Sequence, residues 1–247
     1  MPRSQQPATG SDWLFAGEAV PPKHVPKYIR KNSRCGTSFE RQGWRAGFRT
    51  IAGVDEVGRG ALFGPVLAAA VILDPARPIR GLRDSKQLSA RERERLNEEI
   101  RRRALAWSVA AVDAEEIDRI NIYQASRLAM RLAVLQLNPP PELVLVDALR
   151  LDLQQAQVPI IHGDARSVSI AAASIVAKVE RDRLLVEWHR VYPQYHLASN
   201  KGYATAAHRA MLRQQGPTPL HRKSFAPVAA ARQVVPQRSW PLFPAIM

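Results

Sequence analysis

The sequence predicts an α/β fold, and three observations predict it. Short runs of branched apolar residues alternate with longer stretches of mixed charge and helical spacing, the pattern of strands laid beside helices. Three of the apolar runs close on an acid, and ligands in such sheets gather where strands terminate. A content of 46% hydrophobic residues over 247 positions is enough to fill a core.

Residues 1–48 come first. Pro21, Pro22 and Pro26 break any period there, and basic residues from Lys23 onward interleave with Tyr28, Phe39, Trp44 and Phe48. The stretch reads as an irregular basic extension suited to touching phosphates and stacking on bases. From Thr50 the pattern becomes regular. RTIAGVD is a first strand, and PVLAAAVIL is a strand apolar on both faces, ended by Asp74, Pro75 and Pro78. SARERERLNEEIRRRAL opens with Ser89 and Glu92 at capping-box spacing, which predicts a helix with its charges to solvent. AWSVAAVD at 106–113 returns to strand. Asp113 and Glu116 mark the next helix start, after which INIYQASRLAMRLAVLQL places Ala125, Leu128, Ala129, Leu132 and Leu135 on one face. Prolines 139–141 stop it. ELVLVDA and VPIIHGD read as strands ending in Asp147 and Asp164, and SIAAASIVAKVERDRLLVEWHRVY as a long helix. The expected organisation is a basic extension at 1–48, an α/β domain at 49–235 that includes a C-terminal helical part, and a proline-bounded tail at 236–247.

The formal charge of +14 makes a polyanion the expected large partner. A membrane is not expected. The longest nearly uncharged apolar run, 61–73, is too short to span a bilayer, and the first ten residues lack a signal peptide's apolar stretch, so the expected location is cytoplasmic. Cys35 is the single cysteine, which excludes an internal disulfide and a thiolate metal cluster.

Adjacent acids are common on helix surfaces, as at Glu98-Glu99 and Glu115-Glu116, but Asp55-Glu56 follows TIAGV, where burial is expected and an unpaired carboxylate is costly. Several such acids converging call for a cation, and an all-oxygen set favours Mg²⁺ or Mn²⁺. Alternation along a strand sends Asp55 and Glu56 to opposite faces, so both reach one site only if the strand ends or bulges there or if Glu56 ligates through its main chain. Gly58-Arg59-Gly60 then offers a backbone that can approach a sugar-phosphate chain closely, with a guanidinium for phosphate, or a plain tight turn.

Taken together, GVDEVGRGALFGPV, DSKQLS, NIYQAS, VLVDA, GDARSVSIAAASIVAKVERDR, KGYATAAH and HRKSF resemble bacterial ribonuclease HII, in family order and over roughly residues 49–228. The resemblance implies a ribonuclease H-like mixed sheet flanked by helices. It implies an endoribonuclease that hydrolyses the RNA strand of RNA–DNA hybrids and cuts at single ribonucleotides embedded in duplex DNA. Two divalent ions, Mn²⁺ or Mg²⁺, are implied on Asp55, Glu56, Asp147 and Asp164, leaving a 3′-hydroxyl and a 5′-phosphate. Gly58, Arg59 and Gly60 match the motif that reads the ribose 2′-hydroxyl, and Tyr203 matches a junction-sensing tyrosine. Lys86 looks like a phosphate contact. Ser167 and Ser169 stand where a helix begins, as caps or phosphate ligands, and His208 and His221 need only pack. Asp84, Asp113, Asp152 and Asp182 read as caps and surface pairs. One departure is Ala148, where the family usually has glycine after the third acid. A rival reading is a hybrid-binding protein without catalysis, against which the intact acid quartet argues. The tail's Trp240, Leu242 and Phe243, in QRSWPLF, loosely resemble a peptide that docks on the sliding clamp, though Trp240 and Pro241 depart from the usual clamp peptide and packing of the tail back onto the domain is the favoured alternative.

Overall fold

The computed structural model describes residues 35–234. A mixed five-stranded sheet lies at its centre, in the order β3-β2-β1-β4-β5. The strands are β1 (Ile51–Val57), β2 (Val66–Ile72), β3 (Ala106–Val112), β4 (Leu143–Asp147) and β5 (Ala156–Ile160). β1 to β3 form an antiparallel meander, and β4 and β5 add in parallel beside β1. β2 is buried along its whole length, as its unbroken apolar run requires when both sheet faces are covered.

Helices cover both faces. α3 (Ala114–Leu135) packs Ala125, Ala129, Met130, Ala133 and Val134 onto the face formed by Val66, Ala68, Ala70 and Ile72. α2 (Ala90–Arg103) and α4 (Val168–Val191) cover the opposite face, where Ala69 and Val71 meet Ala171, Ala172, Ala173 and Ile175. The small residues let α4 lie close on β1. At Gly53 an added Cβ would come within 2.1 Å of the Ser169 carbonyl carbon, so no other residue fits. The expected capping box is present on α2, with Ser89 and Glu92 bonded reciprocally.

Four expectations change. Leu135 is 51% exposed, because the buried stripe of α3 runs through Ala133 and Val134 instead. α3 is also broken at Asn121 (φ 68), whose side chain accepts from the N–H groups of Tyr123 and Gln124 and so caps the second half. β5 stops at Ile160, and Asp164 sits in a 3₁₀ turn, Gly163–Ala165, ahead of α4. Within 1–48, read as irregular, α1 (Ser38–Arg45) is a helix; Phe39 and Phe48 pack against Ile51, Leu143 and Leu145 rather than standing free for bases. α5 (Leu197–Asn200), α6 (Ala206–Gln215) and α7 (Ala226–Val234) build the C-terminal helical segment over Phe63, Trp188 and Tyr195. The tail at 236–247 lies outside the described residues. No helix among them is long and apolar enough to cross a membrane.

Candidate active site

The parallel pairing of β1 and β4 assembles the site. Val54 stands opposite Val146, so the next residue on each strand, Asp55 and Asp147, emerge side by side at the same edge. Asp55 is 5% exposed and lies on the α4 face, where Ser174 hydrogen-bonds it and Ser174 in turn meets Ser85 at 2.9 Å. The strand continues to Val57, so Glu56 takes the other face of the pleat, where its Oε1 accepts from Arg59 Nη1 at 3.2 Å. Asp147 Oδ1 accepts the N–H of Gly163 at 2.7 Å, which ties the third acid to the turn that carries the fourth. Asp164 Oδ2 receives Lys86 Nζ at 3.3 Å.

These acids act on one another. Burial, then the charges of Glu56, Asp147 and Asp164, hold the Asp55 carboxyl well above the usual carboxylate range. Burial also raises Glu56, against the lowering effect of Arg59, with Asp147 adding repulsion. Asp147 is raised by burial and then by Asp164, against the hydrogen bond from Gly163. Among the described residues no three such side chains close into a shell around one ion. A buried, oxygen-only set that resists its own ionisation fits a hard divalent cation, whose charge relieves the repulsion.

The profile of the family described as Ribonuclease HII matches residues 52–228. The chain belongs to the ribonuclease HII family. A ribonuclease HII of Koribacter versatilis is 54% identical over 233 residues, covering 94% of this chain and 90% of that one. Ribonuclease H2 from Pyrococcus horikoshii superposes with a TM-score of 0.65 at 25% identity, over 75% of this chain and 98% of that one. The ribonuclease HII in the PCNA complex from Archaeoglobus fulgidus gives 0.60 at 26% identity, over 76% and 98%. The chain is therefore a metal-requiring endoribonuclease of the family that cleaves the RNA of RNA–DNA hybrids.

Of the remaining residues singled out in the sequence, Arg59 and Lys86 pair with acids of the set, Glu56 and Asp164. Gly58 has φ +92, and a Cβ there would lie 2.2 Å from Arg181 Nε, so the loop demands glycine. Tyr203 is 37% exposed and lies over the same loop, its Cε1 3.9 Å from where a Cβ on Gly60 would stand. Lys86 is exposed on the turn of Ser85–Gln87, whose N-cap is Asp84. Asp113 caps α3, Asp152 is exposed and Asp182 pairs with Lys178. Ser167 caps α4 and Ser169 is buried. His208 and His221 are fully buried, bonded to each other at 3.0 Å, and both are held below the usual histidine range chiefly by burial. That placement removes them as an acid–base pair for attack by a 2′-hydroxyl.

Two arginines escaped the sequence reading. Arg222 donates to the carbonyls of Gly64 and Arg59, and Arg181 to those of Phe63 and Lys201, so the glycine-arginine-glycine loop and the Tyr203 segment form one braced unit. Both are fully buried. The available signal for Arg181 was its place four residues from both Ala177 and Leu185, on the buried stripe of α4. In a chain this basic, charge alone singles out neither.

Proposed function

We propose that this ribonuclease HII cuts at single ribonucleotides embedded in duplex DNA as well as within hybrids, in the cytoplasm. The proposed site holds two divalent ions, Mn²⁺ or Mg²⁺, through Asp55, Glu56, Asp147 and Asp164. The observation that carries this reading is the gathering of acids at one sheet edge, Asp55 and Asp147 following paired residues of β1 and β4 and Asp147 bonded to the turn that holds Asp164, so that burial and mutual charge raise Asp55, Glu56 and Asp147. Bound there, the ions would supply a lowered pKa for the attacking water and charge to offset the leaving 3′-oxygen. The chain's own groups do the rest. The loop Gly58-Arg59-Gly60 presents backbone to the ribose 2′-hydroxyl, Lys86 meets a phosphate, and the Tyr203 ring stacks on the deoxyribose after the ribonucleotide. The tail at 236–247 is proposed to tether the enzyme to a sliding clamp; in support, the Archaeoglobus relative is described in complex with PCNA.

The test is incubation of a duplex carrying one ribonucleotide with and without Mn²⁺ or Mg²⁺. The expected result is metal-dependent cutting beside the ribonucleotide with 3′-hydroxyl and 5′-phosphate ends. A cyclic phosphate, or cutting in chelator, would overturn the mechanism. Loss of clamp binding on deletion of 238–247, with cleavage of a short duplex unchanged, is the outcome expected of the tether.

A further inference from the structure

The turn that carries Asp164 is fastened from behind by residues outside the 52–228 match. Glu40, on α1, is 2% exposed, and its Oε1 accepts from Ser167 Oγ at 2.6 Å and from the N–H of Ser169 at 3.0 Å. Ser167 caps α4 through the N–H of Ile170, and its own N–H donates to the Gly163 carbonyl at 2.8 Å. The N–H of Gly163 holds Asp147 at 2.7 Å. A continuous series of bonds thus runs from Glu40 through Ser167 and Gly163 to Asp147, with Asp164 inside the turn it anchors. The backbone of Gly36 adds bonds to Arg166 and Val168, and the Cys35 thiol donates to the Asp164 carbonyl at 2.9 Å.

Capping alone does not account for an acid here. Ser167 already caps α4, yet Glu40 Oε2 is buried with no hydrogen-bond partner, an arrangement that costs stability. What the bonds fix is the place of the turn against the sheet edge, where its Gly163 N–H meets Asp147 Oδ1 at 2.7 Å and its Asp164 carboxylate takes Lys86 Nζ at 3.3 Å beside acids of like charge.

We propose that Glu40 is a positioning residue for the acid cluster, holding the 163–167 turn so that Asp164 and Asp147 keep the spacing that binds divalent metal. This rests on the metal-site reading above. The α1 segment is then part of the catalytic apparatus.

The test measures Mn²⁺ binding by calorimetry, and the Mn²⁺ needed for half-maximal cleavage, in the full chain and its variants. Glu40→Ala is expected to weaken binding about tenfold or more, as loss of a group supporting a metal ligand does, and to raise the half-maximal concentration in parallel. Glu40→Gln keeps an oxygen for both donors and is expected to stay within about threefold of the parent. Phe48→Ala, which loosens packing near α1 without touching the turn, should melt lower with Mn²⁺ binding unchanged. Parent-like Mn²⁺ binding in Glu40→Ala would overturn the proposal, whether or not its melting temperature falls. Should Glu40→Ala not fold, Ser167→Ala decides: weakened Mn²⁺ binding supports the proposal and unchanged binding overturns it. A parent chain that neither binds Mn²⁺ nor cleaves would instead remove the metal-site reading itself.

Discussion

Asp55 shows how a single buried residue can cost stability. Its carboxyl is buried among other acids and held well above its ordinary value of 3.8. Between those two values the folded chain keeps a proton that the unfolded chain has lost, so stability falls as pH rises through that window and stays lowered above it. Asp55→Asn removes the effect. Without metal, this variant is expected to melt higher than the parent at neutral pH, with a flatter dependence of melting temperature on pH, while binding hybrid and failing to cleave it. Cleavage near the parent rate would remove Asp55 from the site. Ala148 carries a smaller burden at φ 53, a left-handed conformation that a methyl group disfavours. Ala148→Gly should therefore stabilise the chain by about 1 kcal/mol, read by denaturant unfolding, and leave cleavage intact. The four acids were picked out by the apolar runs that lead toward Asp55, Asp147 and Asp164 together with the motif resemblance. Glu40 was not, because nothing in SFERQGWR distinguishes a buried glutamate from one at the surface.

At the scale of elements, the sequence showed most of what periodicity controls. β2, β3, α2 and α4 stand where the apolar patterns put them, and the Ser89 cap stands where its spacing put it. What periodicity does not control was misplaced. Asp164 moved from a strand end into a turn, and the Asn121 break disappears in a pattern summed over the whole of α3, since a capping asparagine looks like any polar residue of the exposed face. The shape of the Gly58–Gly60 loop was not legible, because it depends on Arg181 and Arg222, more than a hundred residues away in sequence. Under the proposed function, Tyr203 is the position that tests the junction reading. Its ring sits beside Gly60 and over the Arg181 guanidinium, so Tyr203→Ala is expected to slow cutting at an isolated ribonucleotide more than within a long hybrid. Equal slowing on both substrates would refute the junction role.

For the whole molecule the dominant quantity is charge. Residues 1–34 contain six basic and two acidic residues, so they carry +4 of the total +14 and leave +10 on the remainder. Charge on the domain and charge on the extension do different work if only one of them meets the duplex. Each phosphate neutralised adds about 0.9 to the slope of log affinity against log salt, whereas charge that stays in solvent adds little beyond a general field. Deleting residues 1–34 leaves α1 and its bonds to the 163–167 turn in place, so Mn²⁺-dependent chemistry on a short duplex should be preserved. Hybrid affinity is the quantity that moves. If the extension tracks the backbone, the deletion should lower the salt slope by roughly 2 to 4 and weaken binding most at low salt. An unchanged slope with intact cleavage would instead assign all phosphate contacts to the domain, through groups such as Lys86 and Arg59, and would leave the extension no part in binding the duplex.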